Sequence, residues 1–600
     1  MSPSDIVTLD NLAEAIPKWS PDDENHLYAV VDMGSHVTAV LTGPSNGIRF
    51  SITSLAPPKT RLLAPIYSSR AGISLFDALE PSSTGELAFS QSTISTVSST
   101  LAQFKELADL HHVPPSHVMV FATEAMRRAA NSAAMLTAIA EATGGLRVQI
   151  LEPSVETLFG AVMGSRSSLA DVRDGALFLD LGGGSVQITW VDTSLDDYEV
   201  LAARAGNSMP FGAAKLTRVF QEGDVGVQTT ESDKLKIYMQ AAFDNLCSLF
   251  PKLQKIRESY ERGEDAKVDV YMCGGGCRGY GSMLMHNDEI SPYPITSIGS
   301  YTVTGASFKK ITEMRRINDT YDGKIPGLSK RRRQQFDAIS AVMEAFTAAV
   351  PNVRHVTFCK GSNRDGALMM KLPRAIRESN PLDVIADVKT GDKALFEAVA
   401  SLLAKAIPPE AQLDQVPTVL NIDGLRSLFI KEIWARAGYE ADSNASFSLH
   451  YAIYRDADAP GLSHLARALL GTTVAARWGS GMGPVDAQLA DLLRGILKRY
   501  SKEAMFWALY IGAVANALVT ILPVRPSNVE ILQKSIQFDA RLLKVPDEKD
   551  SIKLSISVHP NILRSVNAEE LSSRFKSILK IGDKKPKKKT SVNITSLMQE

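Results

Sequence analysis

The sequence predicts an α/β fold of two related lobes around a phosphate-binding cleft, followed by a mainly helical region. Three observations carry that prediction. Leu177 to Thr189 reads LFLDLGGGSVQIT: an apolar run into Asp180, three consecutive glycines, then an alternating strand from Ser185 to Trp190. Leu27 to Leu41 repeats the form, its apolar run ending in Asp32-Met33-Gly34-Ser35 before a strand resumes at Val37. Beyond Pro373 to Asn380, which reads as a linker, the composition shifts to alanine- and leucine-rich helix. Two strand-turn-strand hairpins with an acid at each tip, each opening a half of mixed strands and helices, are the sequence form of an internal duplication.

Gly182, Gly183 and Gly184 have no Cβ, so the backbone can reach φ > 0 and crowd its N–H groups around an anion. Asp180, at the end of a buried strand, can hold Mg²⁺ directly or through water. A plain glycine hairpin has the same letters, and the second copy at Asp32 is what favours the phosphate loop. The P-loop pattern G-x-x-x-x-G-K-[ST] is absent, and no G-x-G-x-x-G opens a helix after a strand.

A chain of 600 residues exceeds what one core supports, so three or four domains are expected. With 44% hydrophobic and 22% charged residues and a formal net charge of −1, it is globular in composition, with no general pull toward nucleic acid or membrane. Cys247, Cys273, Cys277 and Cys359 are too few and scattered for a disulfide framework, which suits a reducing compartment. Cys273 and Cys277 bracket three glycines at a zinc-like spacing, but no second Cys/His pair stands nearby. Residues 1–25 carry several acids and no apolar h-region, and read as a tail with one short helix rather than a signal peptide. Ala504 to Val524 is uncharged and near membrane-spanning length. Its Asn516, its small residues at 512, 513, 515 and 517, and Pro523 make it a buried core helix instead.

In chain order, Arg49 to Ala64 continues the first sheet as a meander, and Ser92 to His112 is a packing helix with Val97, Leu101, Phe104 and Ala108 at helical spacing. The strand His117 to Phe121 delivers Thr123 to a helix start whose N–H groups favour an anion. Arg127 and Arg128 follow, a pattern that also suits a solvated helix face. The strand Leu146 to Leu151 and Pro153 lead into a helix holding Glu156, at a strand-to-helix junction where α/β folds place ligands, the position for a general base. Val268 to Met272 opens into Cys273-Gly274-Gly275-Gly276-Cys277, a third glycine loop able to help surround one polyanion. Lys330-Arg331-Arg332-Arg333 reads either as a solvated face or as the lining of an access path for phosphate chains. Two strands, Ser535 to Leu543 and Ser551 to His559, and a helix from Ala568 to Leu579 form a small α+β piece. Lys584 to Lys589 reads as a solvated tail or a nuclear import signal.

Together these motifs resemble the exopolyphosphatase/guanosine pentaphosphate phosphatase (Ppx/GppA) family: VVDMGS at 30–35, ATEAMRRAAN at 122–131, EPSVET at 152–157, LDLGGGS at 179–185, SMPFGAAKLT at 208–217, GGGC at 274–277 and NRDGAL at 363–368. The resemblance implies duplicated actin-like/Hsp70 ATPase (ribonuclease H-like) lobes, then a helical HD-like domain and a small α+β C-terminal domain. The boundaries expected are a tail at 1–25, lobe I at 26–170, lobe II at 171–376, the HD-like domain at 377–524, the α+β domain at 525–582 and a basic tail at 583–600. It further implies Glu156 as general base, Arg127 as the family arginine, and Asp32 and Asp180 as Mg²⁺-organising acids. Gly34, Ser35, Gly183, Gly184 and Ser185 would donate to phosphate oxygens, joined by Gly275 and Gly276 of the third loop. The ligand implied is ATP, GTP or polyphosphate, and a homodimer is expected.

Two departures bear on turnover. Val186-Gln187 stand where the family usually reads Thr-Glu, and Gln can neither take a proton nor supply charge to a metal; Cys277 replaces the threonine of the third loop. The HD dyad is missing too, its expected place falling near Ala435-Arg436, while His450 to Ile453 and Asp458 to Leu462 look like the segment after it. The helical domain is therefore expected to serve binding. The wording and appended regions are most like the fungal regulatory members, which implies a cytoplasmic regulator relaying mitochondrial dysfunction to nuclear transcription through signalling proteins. The competing expectation is a working Mg²⁺-dependent hydrolase of polyphosphate or of guanosine or adenosine polyphosphates, with Glu156 as base.

Overall fold

The computed structural model describes residues 6–34, 47–56, 61–63, 65–82, 85–166, 172–411, 413, 416–437, 443–455, 459–479, 481–544, 549–581 and 588–597. The chain divides into two compact units, one of residues 1–287 and 297–379, the other of residues 288–296 and 380–600.

The first unit is built on two six-stranded sheets. The first contains β1 (Ile6–Val7), β2 (Leu27–Met33), β3 (Ile48–Ser54) and β4 (Pro65–Ala71), and a short ribbon of β5 (Leu79–Pro81) and β6 (Leu87–Phe89) lies outside it. It is completed by β7 (Val118–Ala122) and β8 (Val148–Leu151) in the order β1-β8-β7-β2-β3-β4. The second comprises β9 (Ala176–Leu181), β10 (Val186–Val191), β11 (Asn207–Met209), β12 (Val268–Cys273), β13 (Thr302–Thr304) and β14 (Val353–Phe358), ordered β11-β10-β9-β12-β14-β13. The strands β2-β3-β4-β7-β8 match β9-β10-β11-β12-β14 in order and direction: three antiparallel strands, then two parallel ones beside the first. The duplication read from the two hairpins is therefore a duplication of whole sheets.

The strand interiors explain why these segments pair. Ala29, Val30 and Val31 in β2 and Ala176 to Leu179 in β9 are at most 1% exposed, as expected for central strands covered on both faces. The helix Gln91–Leu110 turns Ile94, Val97, Leu101, Phe104 and Ala108 inward, and Ser90 caps it by accepting from the Thr93 N–H.

Three expectations at the segment ends need correction. Of the tail expected at 1–25, residues 6–25 are not loose: β1 pairs in parallel with β8, and Leu12, Ile16 and Trp19 are buried in the first unit's core, while residues 1–5 lie outside the described residues. Apolar anchors spaced among acids were masked by the acidic average. Pro373 to Asn380 is no linker up to Ser379, because Arg374–Arg377 is a helical turn and Arg377, 3% exposed, pairs with Glu199. At the other end, Lys589–Ser596 is a strand, β17, parallel to β16 (Ser551–Val558), which itself pairs antiparallel with β15 (Ile536–Leu543). Val592 and Ile594 pack inward, a two-residue alternation hidden behind the lysines. Lys584 to Lys587, the heart of the basic run, lie outside the described residues.

The second unit has one apolar core shared by its helices and the three-stranded sheet, so 377–524 and 525–582 do not separate. Tyr510 meets Phe575 edge-on at 5.6 Å, and Trp507, Leu554 and Ile556 belong to the same cluster. Among the described residues one helix, Lys502–Ile521, is long and apolar enough to cross a membrane by length and composition. Its apolar window is 89% buried inside the protein, and Asn516 Nδ2 donates to the Arg477 carbonyl at 2.8 Å, the pattern of a core helix.

Candidate functional site

Both duplicated sheets end at one place. Asp32 and Asp180 each stand one residue before the end of their strands, β2 and β9, while four strand-to-helix junctions deliver Thr123, Glu156, Gly274 and Asn363. All six residues line one cleft of about 900 Å³, counted with its open mouth. Junctions of this kind carry ligands because strand ends and helix N-termini present backbone N–H groups together.

The glycine turn after β9 is held from behind. The carbonyls of Gly182, Gly183 and Gly184 accept from the N–H groups of Ala213, Ala214 (and Lys215) and Gly212, at 3.0 to 3.2 Å. These donors open the helix Ala213–Glu222, so the loop's carbonyls are consumed on that side, while the Gly182 N–H donates to the Ser185 carbonyl at 3.1 Å. The approach demands glycine at 212, where a Cβ would stand 2.0 Å from the Gly183 carbonyl. The third loop makes a similar demand: Gly274 has φ +83°, and a Cβ there would lie 2.2 Å from Asp180 Oδ1.

Glu156 sits on the short helix Pro153–Thr157, after which the chain continues as a π-helical segment, Leu158–Gly164, a widened coil common at functional sites. Arg127 Nη2 donates to Glu156 Oε2 at 3.0 Å, and its Nη1 donates to the Leu151 carbonyl. Burial pushes the Glu156 carboxyl up to about 7 despite that arginine. A carboxyl titrating near neutrality is suited to exchange a proton with a reacting water.

Asp180 is raised to about 6 by burial, with Arg278 opposing and Asp32 adding to the rise. Asp32 is also raised by burial, opposed by Arg364 and Arg49, and its Oδ1 is buried without a hydrogen-bond partner. Two desolvated carboxylates in one cleft, one oxygen unsatisfied, fit a hard dication that keeps waters and shares phosphate oxygens. Among the described residues no group of three or more His, Cys, Asp and Glu side chains could hold a metal by itself. Burial pushes the Cys273 and Cys277 thiols up, which favours their protonated form.

The cleft is cationic, and of its cations Arg332 belongs to the basic run expected as a candidate lining while Arg49 and Arg278 do not. Arg49, Arg278 and Arg332 line it together with Gln335 and Asn363. Arg49 is lowered to about 10 and Arg332 to about 9, first by burial and then by neighbouring guanidinium groups, Arg278 foremost. Crowded guanidinium groups repel one another, and a polyanion would relieve that repulsion. Of the run at 330–333, Arg332 belongs to the cleft, while Arg333 donates to the carbonyls of Asn318, Tyr321 and Gly323. No residue run announces Arg49 and Arg278; the signal for Arg49 was the hairpin itself, whose register sets it opposite Asp32.

Of the residues expected at the site, Asp32, Gly34, Glu156, Asp180, Gly183, Gly184, Ser185, Gly275 and Gly276 all line the cleft. Arg127 acts through Glu156, and Ser35 lies outside the described residues. Gln187 lines the cleft too, facing Asp180 across the β9–β10 ladder, and its Nε2 donates to Ser185 Oγ at 2.7 Å.

Comparison with known proteins gives this site a class. The chain belongs to the Ppx/GppA phosphatase family, whose family model matches residues 56–375, and the two lobes are the duplicated actin-like ATPase fold of that family. Residues 380–596 match the RTG2 C-terminal domain. More particularly, the chain is 29% identical over 588 residues to Retrograde regulation protein 2 of Saccharomyces cerevisiae, covering 90% of this chain and 93% of that protein. Among solved structures, the type II variant of the Aquifex aeolicus Ppx/GppA phosphatase aligns at 18% identity and TM-score 0.40, over 57% of this chain and 99% of its own. An exopolyphosphatase from Cytophaga hutchinsonii aligns at 17% identity and TM-score 0.39, over 57% and 96%.

Proposed function

We propose that this protein is a cytoplasmic regulator of mitochondria-to-nucleus retrograde signalling whose cleft binds the phosphate chain of ATP, GTP or polyphosphate with Mg²⁺ and turns it over slowly or not at all. The relation to Retrograde regulation protein 2, spanning nearly the whole of both chains, supports the regulatory role and signalling proteins as partners. The observation that carries the loss of turnover is Gln187. Its neutral amide occupies the ladder position opposite Asp180 and is engaged with Ser185, so this position adds no negative charge for a cation and no proton acceptor for water.

In this reading the amide edges of the glycine loops and the Arg49, Arg278 and Arg332 cations hold phosphate oxygens by charge-assisted hydrogen bonds. Asp32 and Asp180 would hold Mg²⁺, which supplies charge neutralisation along the phosphate chain when bound. Among the described residues that line the cleft, glycines, arginines, carboxylates and small polar groups predominate and none is aromatic, which favours recognition through phosphates over recognition of a base. A homodimer is part of the proposal, to be tested by sedimentation.

A second reading, a working phosphoanhydride hydrolase, is favoured by one observation: Glu156 is raised to about 7 and held by Arg127, a base prepared for water. Isothermal titration of ATP, GTP and medium-chain polyphosphate with Mg²⁺ into wild type and Asp180→Ala, with phosphate release followed in the same samples, separates the two. Binding that depends on Asp180 without release supports the regulator; steady release lost in Glu156→Gln supports the hydrolase.

A further inference from the structure

The three-stranded sheet of the second unit has two edges, and only one of them is blunted by charge. β15 presents Asp539 and Arg541 at exposed positions, and charges on an edge strand discourage a further strand from pairing. β17 reads Lys589-Thr590-Ser591-Val592-Asn593-Ile594-Thr595-Ser596, with no charge after Lys589, no proline and an unbroken register to β16.

Two hydrogen bonds fix the direction of its main-chain groups. The Lys589 N–H donates to the Asp550 carbonyl and the Leu597 N–H to the Val558 carbonyl, each at 2.9 Å. Alternate residues of a strand in a parallel ladder bond the same neighbour, so the odd-numbered residues from 589 to 597 face β16. Thr590, Val592, Ile594 and Ser596 therefore turn their N–H and C=O groups to the outer edge, where no strand among the described residues pairs with them. Thr590 Oγ1 is also buried without a hydrogen-bond partner.

This open edge is chemically its own complement. Residues 590–596 read hydroxyl, hydroxyl, aliphatic, amide, aliphatic, hydroxyl, hydroxyl in either direction about Asn593. An antiparallel neighbour must bring outward-facing residues opposite outward-facing residues. A two-fold axis at Asn593 does so: Thr590 stands opposite Ser596 of a second copy, Val592 opposite Ile594, and Asn593 opposite itself. Val592 and Ile594 pack toward the core, so their cross-strand pairing continues that apolar face. Asn593 is exposed on the other face, where two amides can each donate and accept. Lys589 falls opposite Leu597 and not opposite another lysine.

We propose that the outer edge of β17 pairs antiparallel with the same strand of a second copy of this chain, joining two three-stranded sheets across a two-fold axis at Asn593. About eight main-chain hydrogen bonds would close over groups left open in the single chain, and the unpartnered Thr590 hydroxyl would meet that of Ser596. An extended segment of an unrelated protein could use the same main-chain groups, but the palindrome selects a second copy. The inference names a surface for the homodimer of the proposed function and rests on that part of it, whatever the cleft binds.

Sedimentation velocity on the full chain, over about 0.1–100 μM, compares wild type, Asn593→Asp, Asn593→Lys and an equimolar mixture of the two variants. Asn593 is exposed in the single chain, so either charge should leave the fold intact, which circular dichroism checks. The expected result is a wild-type dimer that is weakened about tenfold or more in each variant, where like charges meet at the axis, and recovered in the mixture, where opposite charges meet. A dimer of wild-type strength in both variants would overturn the edge pairing and leave the homodimer standing through another surface. Wild type that stays monomeric at the highest concentration would overturn both. Weakening without recovery in the mixture would overturn the axis at Asn593.

Discussion

In the first lobe the acid at the hairpin tip faces an arginine across the ladder, Asp32 opposite Arg49; in the second it faces an amide, Asp180 opposite Gln187. The two hairpins are otherwise equivalent in order and direction, so the difference isolates what each acid is for. Asp32 is partly compensated by Arg364 and Arg49, cations whose chemistry suits an anion. Asp180 has Arg278 as its opposing charge and lies against the glycine of the third loop, so it is the less compensated of the two acids. The proposed function has both acids holding Mg²⁺, and the lobes divide in how far nearby cations offset each acid: Arg364 and Arg49 oppose Asp32, and Arg278 opposes Asp180.

The largest expected effect tests that division directly. Asp180→Ala should weaken Mg²⁺-dependent binding of a phosphate chain by about 100-fold, on the order of 3 kcal/mol, whereas Asp32→Ala should lose less because Arg49 is freed to meet the anion. Titration calorimetry with and without Mg²⁺ reads both, and an equal loss in the two variants would erase the distinction between the lobes.

Next in size is the support of the glycine turn. Gly212→Ala places a Cβ 2.0 Å from the Gly183 backbone, with little room to relax, and should destabilise the first unit by about 1–3 kcal/mol while weakening phosphate binding. Thermal unfolding monitored alongside binding checks it; a variant with wild-type midpoint and affinity would show that the turn is not held by this contact.

A smaller loss follows from making the lobes alike. Arg49→Gln should weaken phosphate-chain binding about tenfold and flatten its dependence on salt, because one charge-assisted contact disappears. If the salt dependence is unchanged, Arg49 does not reach the ligand.

The smallest expected effect is on stability against pH. Burial raises the Glu156 carboxyl from about 4.5 to about 7, so the folded state binds this proton more tightly than the unfolded chain. The stability this contributes is complete below the ordinary carboxyl value and is lost as pH rises through about 7. Glu156→Gln does not titrate, so its stability relative to wild type should rise between about pH 5 and pH 8 in chemical unfolding. No change over that interval would mean that Arg127 holds Glu156 ionised in the folded state.

The hairpins were legible because their chemistry is local: an acid, a glycine run and an apolar strand are consecutive in sequence, and both sets arrive at the cleft. Glu156 was legible from its junction. The arginines were not, because a cation in a strand such as Arg49 or one turn into a helix such as Arg278 carries no local mark; only the ladder register and the packing of separate segments bring them together. Arg332 was visible within a basic run, but composition alone could not tell the cleft residue from Arg333, which ties down nearby carbonyls. Strands β1 and β17 were missed because charged averages concealed short apolar alternations that only a neighbouring strand completes.

The central claim is that the cleft binds a phosphate chain but lacks the charge needed to turn it over, and Gln187 is where that claim is most exposed. Phosphate release from medium-chain polyphosphate with Mg²⁺ should be followed under single-turnover conditions in wild type and in Gln187→Glu. The account predicts bound, intact polyphosphate in wild type and measurable Mg²⁺-dependent release once the carboxylate faces Asp180. Release by wild type as fast as by the variant would contradict it and make the protein a working hydrolase.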